Sequence, residues 1–252
     1  MSGQENNDPQ QTANIPLALK NATTFEKSGK YESALMLLDD VLRLNGNYAD
    51  AWLLKGIILS KLGKCDDSIK CLDKNIELNP NCAEALRLKA AIFGSLSSHA
   101  QAADCLRKAI DLDPNSPGLR CSLATAYQKL RRFEDALKCY LEVLKQTPED
   151  AKIHYLVGIT LGNLGNNKEA LDSFEEALRL KPDFTYALIG KGVVLAKLGR
   201  VDEANQCAKK ALEEKSELTD KKSDESSIVN DSIRNEYADV SRRFRKSFSQ
   251  NP

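Results

Sequence analysis

Residues 49–82 read ADAWLLKGIILSKLGKCDDSIKCLDKNIELNPNC, and this stretch decides the fold because its small and large side chains recur in the same places through most of the chain. Stepping 34 residues at a time from Pro80 lands on Pro114, Pro148 and Pro182. The same step from Gly56 lands on Ala90, Ala124, Gly158 and Gly192. Extended both ways, the period gives six units, 15–48, 49–82, 83–116, 117–150, 151–184 and 185–218, with no insertion or deletion. A fixed period of this length means stacked supersecondary units, each burying its apolar face against its neighbours.

Within each unit apolar residues recur at helical spacing in two blocks. In 49–82 the first holds Trp52, Leu59 and Leu62, and the second Ile69, Leu72, Ile76 and Leu78, with Gly63 between them. Each unit therefore reads as a helical hairpin. Gly29, Gly63, Gly165 and Gly199 follow the first helix, where a left-handed cap is wanted. The four prolines follow the second helix, where no further backbone donor is needed. Ala34, Ala102, Ala136, Ala170 and Ala204 sit early in the second helix, facing the small residue of the first. Large residues fill the rest: Phe25, Leu59, Phe93, Tyr127, Leu161 and Leu195 at one position, Leu38, Leu72, Leu106, Tyr140 and Phe174 at another. Small against large is what dense interdigitation requires.

This layout resembles the tetratricopeptide repeat (TPR), whose pattern is Trp-x2-Leu-Gly-x2-Tyr, then Ala, an aromatic, Ala and Pro. The residues that carry the resemblance are Trp52 and Gly56, Leu123, Ala124 and Tyr127, Ala170 with Phe174 and Ala177, and Pro182. It implies an all-α, right-handed α-solenoid of six helix-turn-helix repeats. The departures are Ser68 and Asn75 where Ala is usual, Ser97-Ser98-His99 in place of one Gly turn, and Arg131 in place of another; these units are expected to be locally less stable. In the last unit Ala208 and Glu214 replace apolar residues, which suits the polar end of a finite stack.

The flanks differ from the array. Residues 1–14 are polar and read as a disordered tail. After a linker at 219–226, Val229, Ile233, Tyr237, Val240, Phe244 and Phe248 form a narrow stripe at helical spacing, giving an amphipathic C-terminal helix over 227–248. Three roles stay open for it: a cap on the sixth repeat, a coiled-coil or partner-binding helix, and an exposed helix without consequence. Arg242, Arg243, Arg245 and Lys246 cluster at its end, most simply as a solvated face.

Composition excludes more than it identifies. The 36 basic and 36 acidic side chains cancel, and the array alone holds 29 against 28, so the basic stripe expected of a nucleic-acid binder is missing. No apolar run approaches the roughly 18–20 residues of a membrane span. Seven cysteines are an odd number, and Cys71, Cys105, Cys139 and Cys207 fall at one repeat position. Equivalent positions in stacked helices lie about 8–10 Å apart, beyond the roughly 7 Å reach of a disulfide. These four are expected to be free thiols that pack as small hydrophobes, and the expected compartment is the cytoplasm.

No catalytic residue, cofactor or metal is expected. His99 and His154 are the only histidines, both at packing or turn positions, and no phosphate-cradling glycine motif is present. By the resemblance, a concave groove is lined by the second, fifth, ninth, twelfth and thirteenth residues of each repeat, and by the sixth in part. The candidate peptide-binding residues are Leu19, Leu53, Ile57, Lys61, Arg87, Lys129, Tyr155, Ile159, Tyr186, Ile189 and Val193, an apolar surface with a basic rim. Leu54, Leu88, Lys27, Lys152 and Lys197 lie on or around it. The implied function is a non-catalytic scaffold or adaptor that takes an extended or helical segment of a partner protein. The alternative is a regulatory subunit of an enzyme or of an assembly or chaperone complex, acting through the C-terminal helix. Family members that clamp chaperone C-terminal carboxylates use Lys and Asn where this chain has Leu19, Thr23, Leu54, Glu84 and Leu88, so that partner class is disfavoured.

Overall fold

The computed structural model describes residues 14–219; the predicted N-terminal tail, apart from Asn14, and the predicted C-terminal helix over 227–248 lie outside the described residues. Among the described residues there are twelve α-helices and no strand. In chain order they are α1 (Ile15–Lys27), α2 (Tyr31–Leu44), α3 (Ala49–Lys61), α4 (Cys65–Leu78), α5 (Ala83–Ser95), α6 (His99–Leu112), α7 (Pro117–Lys129), α8 (Phe133–Gln146), α9 (Ala151–Leu164), α10 (Asn167–Leu180), α11 (Thr185–Lys197) and α12 (Val201–Thr219). First helices start at Ile15, Ala49, Ala83, Pro117, Ala151 and Thr185, each 34 positions after the last. The fold is an all-α solenoid of helix-turn-helix pairs. The described residues fall into two compact units that meet in sequence at Arg131 and Arg132, so the division falls between the two helices of the fourth repeat.

The turns inside the hairpins share one geometry. Gly29, Gly63, Gly165 and Gly199 have φ of +74°, +73°, +85° and +78°, and the substitutes Ser97 and Arg131 are held at +58°. The left-handed residue lets the next backbone N–H reach back to the helix. Lys30 donates to Phe25 O at 2.8 Å, Lys64 to Leu59 O at 2.9 Å, Ser98 to Phe93 O at 2.8 Å, Asn166 to Leu161 O at 3.0 Å and Arg200 to Leu195 O at 2.9 Å. These bonds satisfy carbonyls that the helix end would otherwise orphan.

In the first unit α3 packs on α4 through a close approach at Gly56, where an added Cβ would stand 3.0 Å from Cγ and Cδ2 of Leu72. Ser68 and Asn75 break the Ala pattern and both are buried. Ser68 Oγ donates to Gly56 O at 2.6 Å and Asn75 Nδ2 to Ala49 O at 2.8 Å. The expected weakness of this repeat is thus offset by two bonds between its helices, although Asn75 Oδ1 has no partner among the described residues. Lys55 pairs with Asp39, and Lys89 with Asp73, tying a second helix to the following first helix.

In the second unit α9 packs on α10, and α11 on α10 and α12. Phe174 of α10 is 1% exposed and is seated against two glycines. An added Cβ on Gly158 would stand 2.8 Å from Phe174 Cε1, and one on Gly190 would stand 2.6 Å from Cε1 and Cζ. Lys191 pairs with Glu175 at 2.8 Å, repeating the tie seen at Lys55 and Lys89.

Candidate functional site

First-helix side chains of the second unit form one of the apolar surfaces the sequence singled out. On α11, Tyr186, Ile189, Val193 and Lys197 follow spacings of three, four and four, which puts them on one face. On α9, Lys152, Tyr155 and Ile159 do the same. The two stripes adjoin at both ends. At one, the Tyr155 and Tyr186 rings lie 6.4 Å apart; at the other, Lys197 Nζ donates to Gly162 O at 3.4 Å. Ile159, Ile189 and Val193 are half-buried, and Tyr186 is 39% exposed.

Tyr155 differs from the expectation. It is 6% exposed, packed against Phe184 at 5.1 Å and Phe174 at 6.1 Å between ring centroids, so it is a floor beneath the stripe and no exposed anchor. The reason is local: Gly190 leaves room for Phe174, and Phe184 closes over the ring from the residue before α11. Phe184 was missed because it stands at the last position of a repeat, outside the family's groove positions. The signal available was an aromatic there, two residues from Tyr186, with a glycine at 190 where other repeats carry Lys, Leu or Ser.

In the first unit Leu19, Leu53 and Ile57 are half-buried on α1 and α3. Two cations of the basic rim are not free there. Lys61 is ion-paired with Glu26, and that hydrogen bond raises its pKa above the ordinary lysine value. Arg87 makes a two-pronged pair with Glu84, Nη2 to Oε1 at 2.6 Å and Nε to Oε2 at 2.8 Å. These two cations are neutralised within the chain, a correction to the expected rim. Lys129 is exposed.

Groups that could suggest chemistry have structural employment. His154 Nε2 bonds Pro148 O at 2.8 Å, and the same repeat position holds Trp52, whose Nε1 donates to Gly46 O at 2.8 Å, and Arg120, whose Nη2 donates to Pro114 O at 2.7 Å. Each pins the loop six residues back. All seven cysteines are free. Burial pushes the thiols of Cys71, Cys105 and Cys207 upward, toward the protonated form that is a poor nucleophile. A shallow cavity of about 350 Å³ lies between α4, α5 and α6, with Cys105, Lys89 and Lys108 on its wall. Lys89 is committed to Asp73 and also lies over the Phe93 ring. Among the described residues no cluster of His, Cys, Asp and Glu could hold a metal, and no helix is long and apolar enough to cross a membrane.

Helical hairpins at a constant 34-residue period, nested small against large, define a helical-repeat protein of the α-solenoid class. The model of the tetratricopeptide repeat matches residues 158–217, and that of the tetratricopeptide repeat protein 21 C-terminal ARM domain matches residues 47–157. The chain belongs to the tetratricopeptide-repeat family. Solved structures agree in fold. MamA from Desulfovibrio magneticus RS-1 is 22% identical with a TM-score of 0.62, covering 68% of this chain and 96% of its own. YrrB, a TPR protein with an unusual peptide-binding site, is 21% identical with a TM-score of 0.62, covering 70% of this chain and 91% of its own. The C-terminal part of a TPR repeat-containing protein from Cytophaga hutchinsonii is 16% identical with a TM-score of 0.68, covering 78% of each chain. No curated protein matches the sequence.

Proposed function

We propose that this protein is a non-catalytic interaction scaffold in which, within a six-repeat domain, 15–218, the first-helix face of the second unit takes a segment of a partner protein. The observation that carries this reading is the apolar stripe over α9 and α11. Ile159, Ile189 and Val193 are packed from below but open above, and Tyr186 stands 39% exposed beside them. Apolar surface left open in a contiguous strip is what an interaction site offers. The peptide-binding site for which YrrB is described makes a peptide a reasonable occupant here. Leu19, Glu84 and Leu88, where clamping residues would be needed, speak against chaperone carboxylate tails. The seven free cysteines suit the reducing conditions of the cytoplasm.

The test is a double substitution, Ile159→Asp with Val193→Asp. Both side chains are half-buried on first helices, so the expected result is an unchanged helical circular dichroism spectrum and loss of the main partner in affinity capture from the native host. Retained capture by the folded double variant overturns the assignment to this face.

A further inference from the structure

Two rim cations at the same repeat position, one in each unit, meet different neighbours. In the first, Lys61, the thirteenth residue of its repeat, meets Glu26, the twelfth residue of the repeat before it. In the second, Lys197 occupies the same thirteenth place, but the twelfth residue before it is Gly162, and the ammonium reaches only the Gly162 carbonyl at 3.4 Å. The carboxylate that Glu26 supplies to Lys61 has no counterpart at Gly162, nor at Gly94, the twelfth residue of the repeat before Lys129. Neither α9, AKIHYLVGITLGNL, nor α11, TYALIGKGVVLAK, contains an acidic residue. Lys152 opens the same face at its other end, and neither it nor Lys197 has an ion-pair partner among the described residues. The nearest carboxylate in sequence, Asp150, accepts backbone N–H groups of Lys152 and Ile153 at 2.9 and 3.2 Å as the cap of α9. Asp183 lies in the loop ahead of α11.

Building on the first-helix reading, we infer that the α9–α11 stripe selects a partner segment that is apolar in the middle and acidic at both ends, its two carboxylates completing the pairs that Lys152 and Lys197 lack. The geometry sets the spacing. Lys152 and Gly162, which marks the Lys197 ammonium, are ten residues apart on α9, about 15 Å at 1.5 Å per residue. An extended chain advances about 3.3 Å per residue, so the acids stand four or five residues apart with apolar side chains between them over Ile159, Ile189 and Val193. The chain's own C-terminal stripe is the competing occupant. Over 227–248 it carries five basic against three acidic residues, with Arg242, Arg243, Arg245 and Lys246 together. Like charge at the rim disfavours it.

Calorimetric titration of the full chain with three acetylated, amidated octapeptides tests this: Gly-Asp-Leu-Phe-Val-Leu-Asp-Gly and its counterparts with Lys or Asn at both Asp places. At low salt the Asp peptide is expected to bind about tenfold tighter than the Lys peptide, the scale of two exposed ion pairs gained and two repulsions avoided. The preference shrinks at high salt, and Lys152→Glu with Lys197→Glu reverses it. Equal affinities, an unreversed order, or no binding of the Asp peptide overturns the inference. If the peptides bind without charge preference and Ile159→Asp abolishes all binding, the face is the site and only the acidic assignment falls. If Asp-peptide binding survives Ile159→Asp with Val193→Asp, the peptide sits elsewhere and the first-helix reading fails too. Tighter Asp-peptide binding on introducing Tyr237→Ser with Phe244→Ser into the full chain identifies the tail as the occupant and overturns the assignment to a separate partner.

Discussion

At the scale of single residues, the second unit turns on what Gly190 leaves out. Phe174 fills the space that a Cβ at 190 would enter at 2.6 Å, while Tyr155 leans on the same ring at a centroid distance of 6.1 Å. Two effects oppose each other in Gly190→Ala. Alanine gains about 1 kcal/mol of helix propensity over glycine, and forcing a methyl into a filled core costs about 1–3 kcal/mol. Overpacking wins because the atoms it meets belong to a ring 1% exposed, with no room to turn aside. Gly190→Ala is expected to lower stability by about 1 kcal/mol in urea unfolding, and Phe174→Leu in the same chain to recover part of the loss. Gly162→Ala is the control: its Cβ would meet only Val194 Cγ2 at 3.7 Å, so it should be neutral or stabilising. An unaffected Gly190→Ala variant contradicts the seating of Phe174. Little of this was legible beforehand. The family pattern marks the fifth residue of a repeat as groove-lining, and only the coincidence of Gly190, Phe174 and Phe184 in space turns Tyr155 inward.

At the scale of elements, nearly everything was legible, because each helix and turn is specified by residues close together in the chain. The 34-residue register fixes every first-helix start, and glycine marks four of the six hairpin turns. Ser97 and Arg131 show that the stack, and not the turn residue, imposes the left-handed conformation, since both are held at φ +58° without glycine's freedom. Ser97 is exposed and its N–H bonds Gly94 O at 3.1 Å, a bond that glycine keeps. The left-handed conformation costs a non-glycine residue roughly 1–2 kcal/mol, and glycine's extra unfolded-state freedom costs about 0.5–1 kcal/mol. Ser97→Gly is therefore expected to stabilise by about 0.5–1 kcal/mol, read as an upward shift in melting temperature. A fall would show that the Ser97 hydroxyl does something the backbone does not. The ion pairs were only half legible: Lys61 and Arg87 read as a free rim until Glu26, from the neighbouring repeat, and Glu84, three residues back, were seen to meet them. The pair between Glu26 and Lys61 spans one repeat plus one residue, a spacing that sequence periodicity contains but helical-face reasoning within one repeat does not reach.

At the scale of the whole molecule, the consequence of repetition is that stability is local. Within each unit a hairpin touches the hairpin next to it, so a lesion is felt by neighbours and fades with distance along the chain. A domain with one shared core would instead lose protection everywhere at once, because its transition is all-or-none. Phe174 separates these behaviours, being buried between α9, α10 and α11 and far in sequence from the first two repeats. Phe174→Ala should remove about 3–5 kcal/mol from its surroundings. Amide hydrogen exchange read by mass spectrometry is expected to show faster exchange in peptides from α9, α10 and α11, with the rates of α1 to α4 unchanged. Equal acceleration in α1 to α4 would mean that the chain opens as one body, and the nearest-neighbour account of its stability would fail.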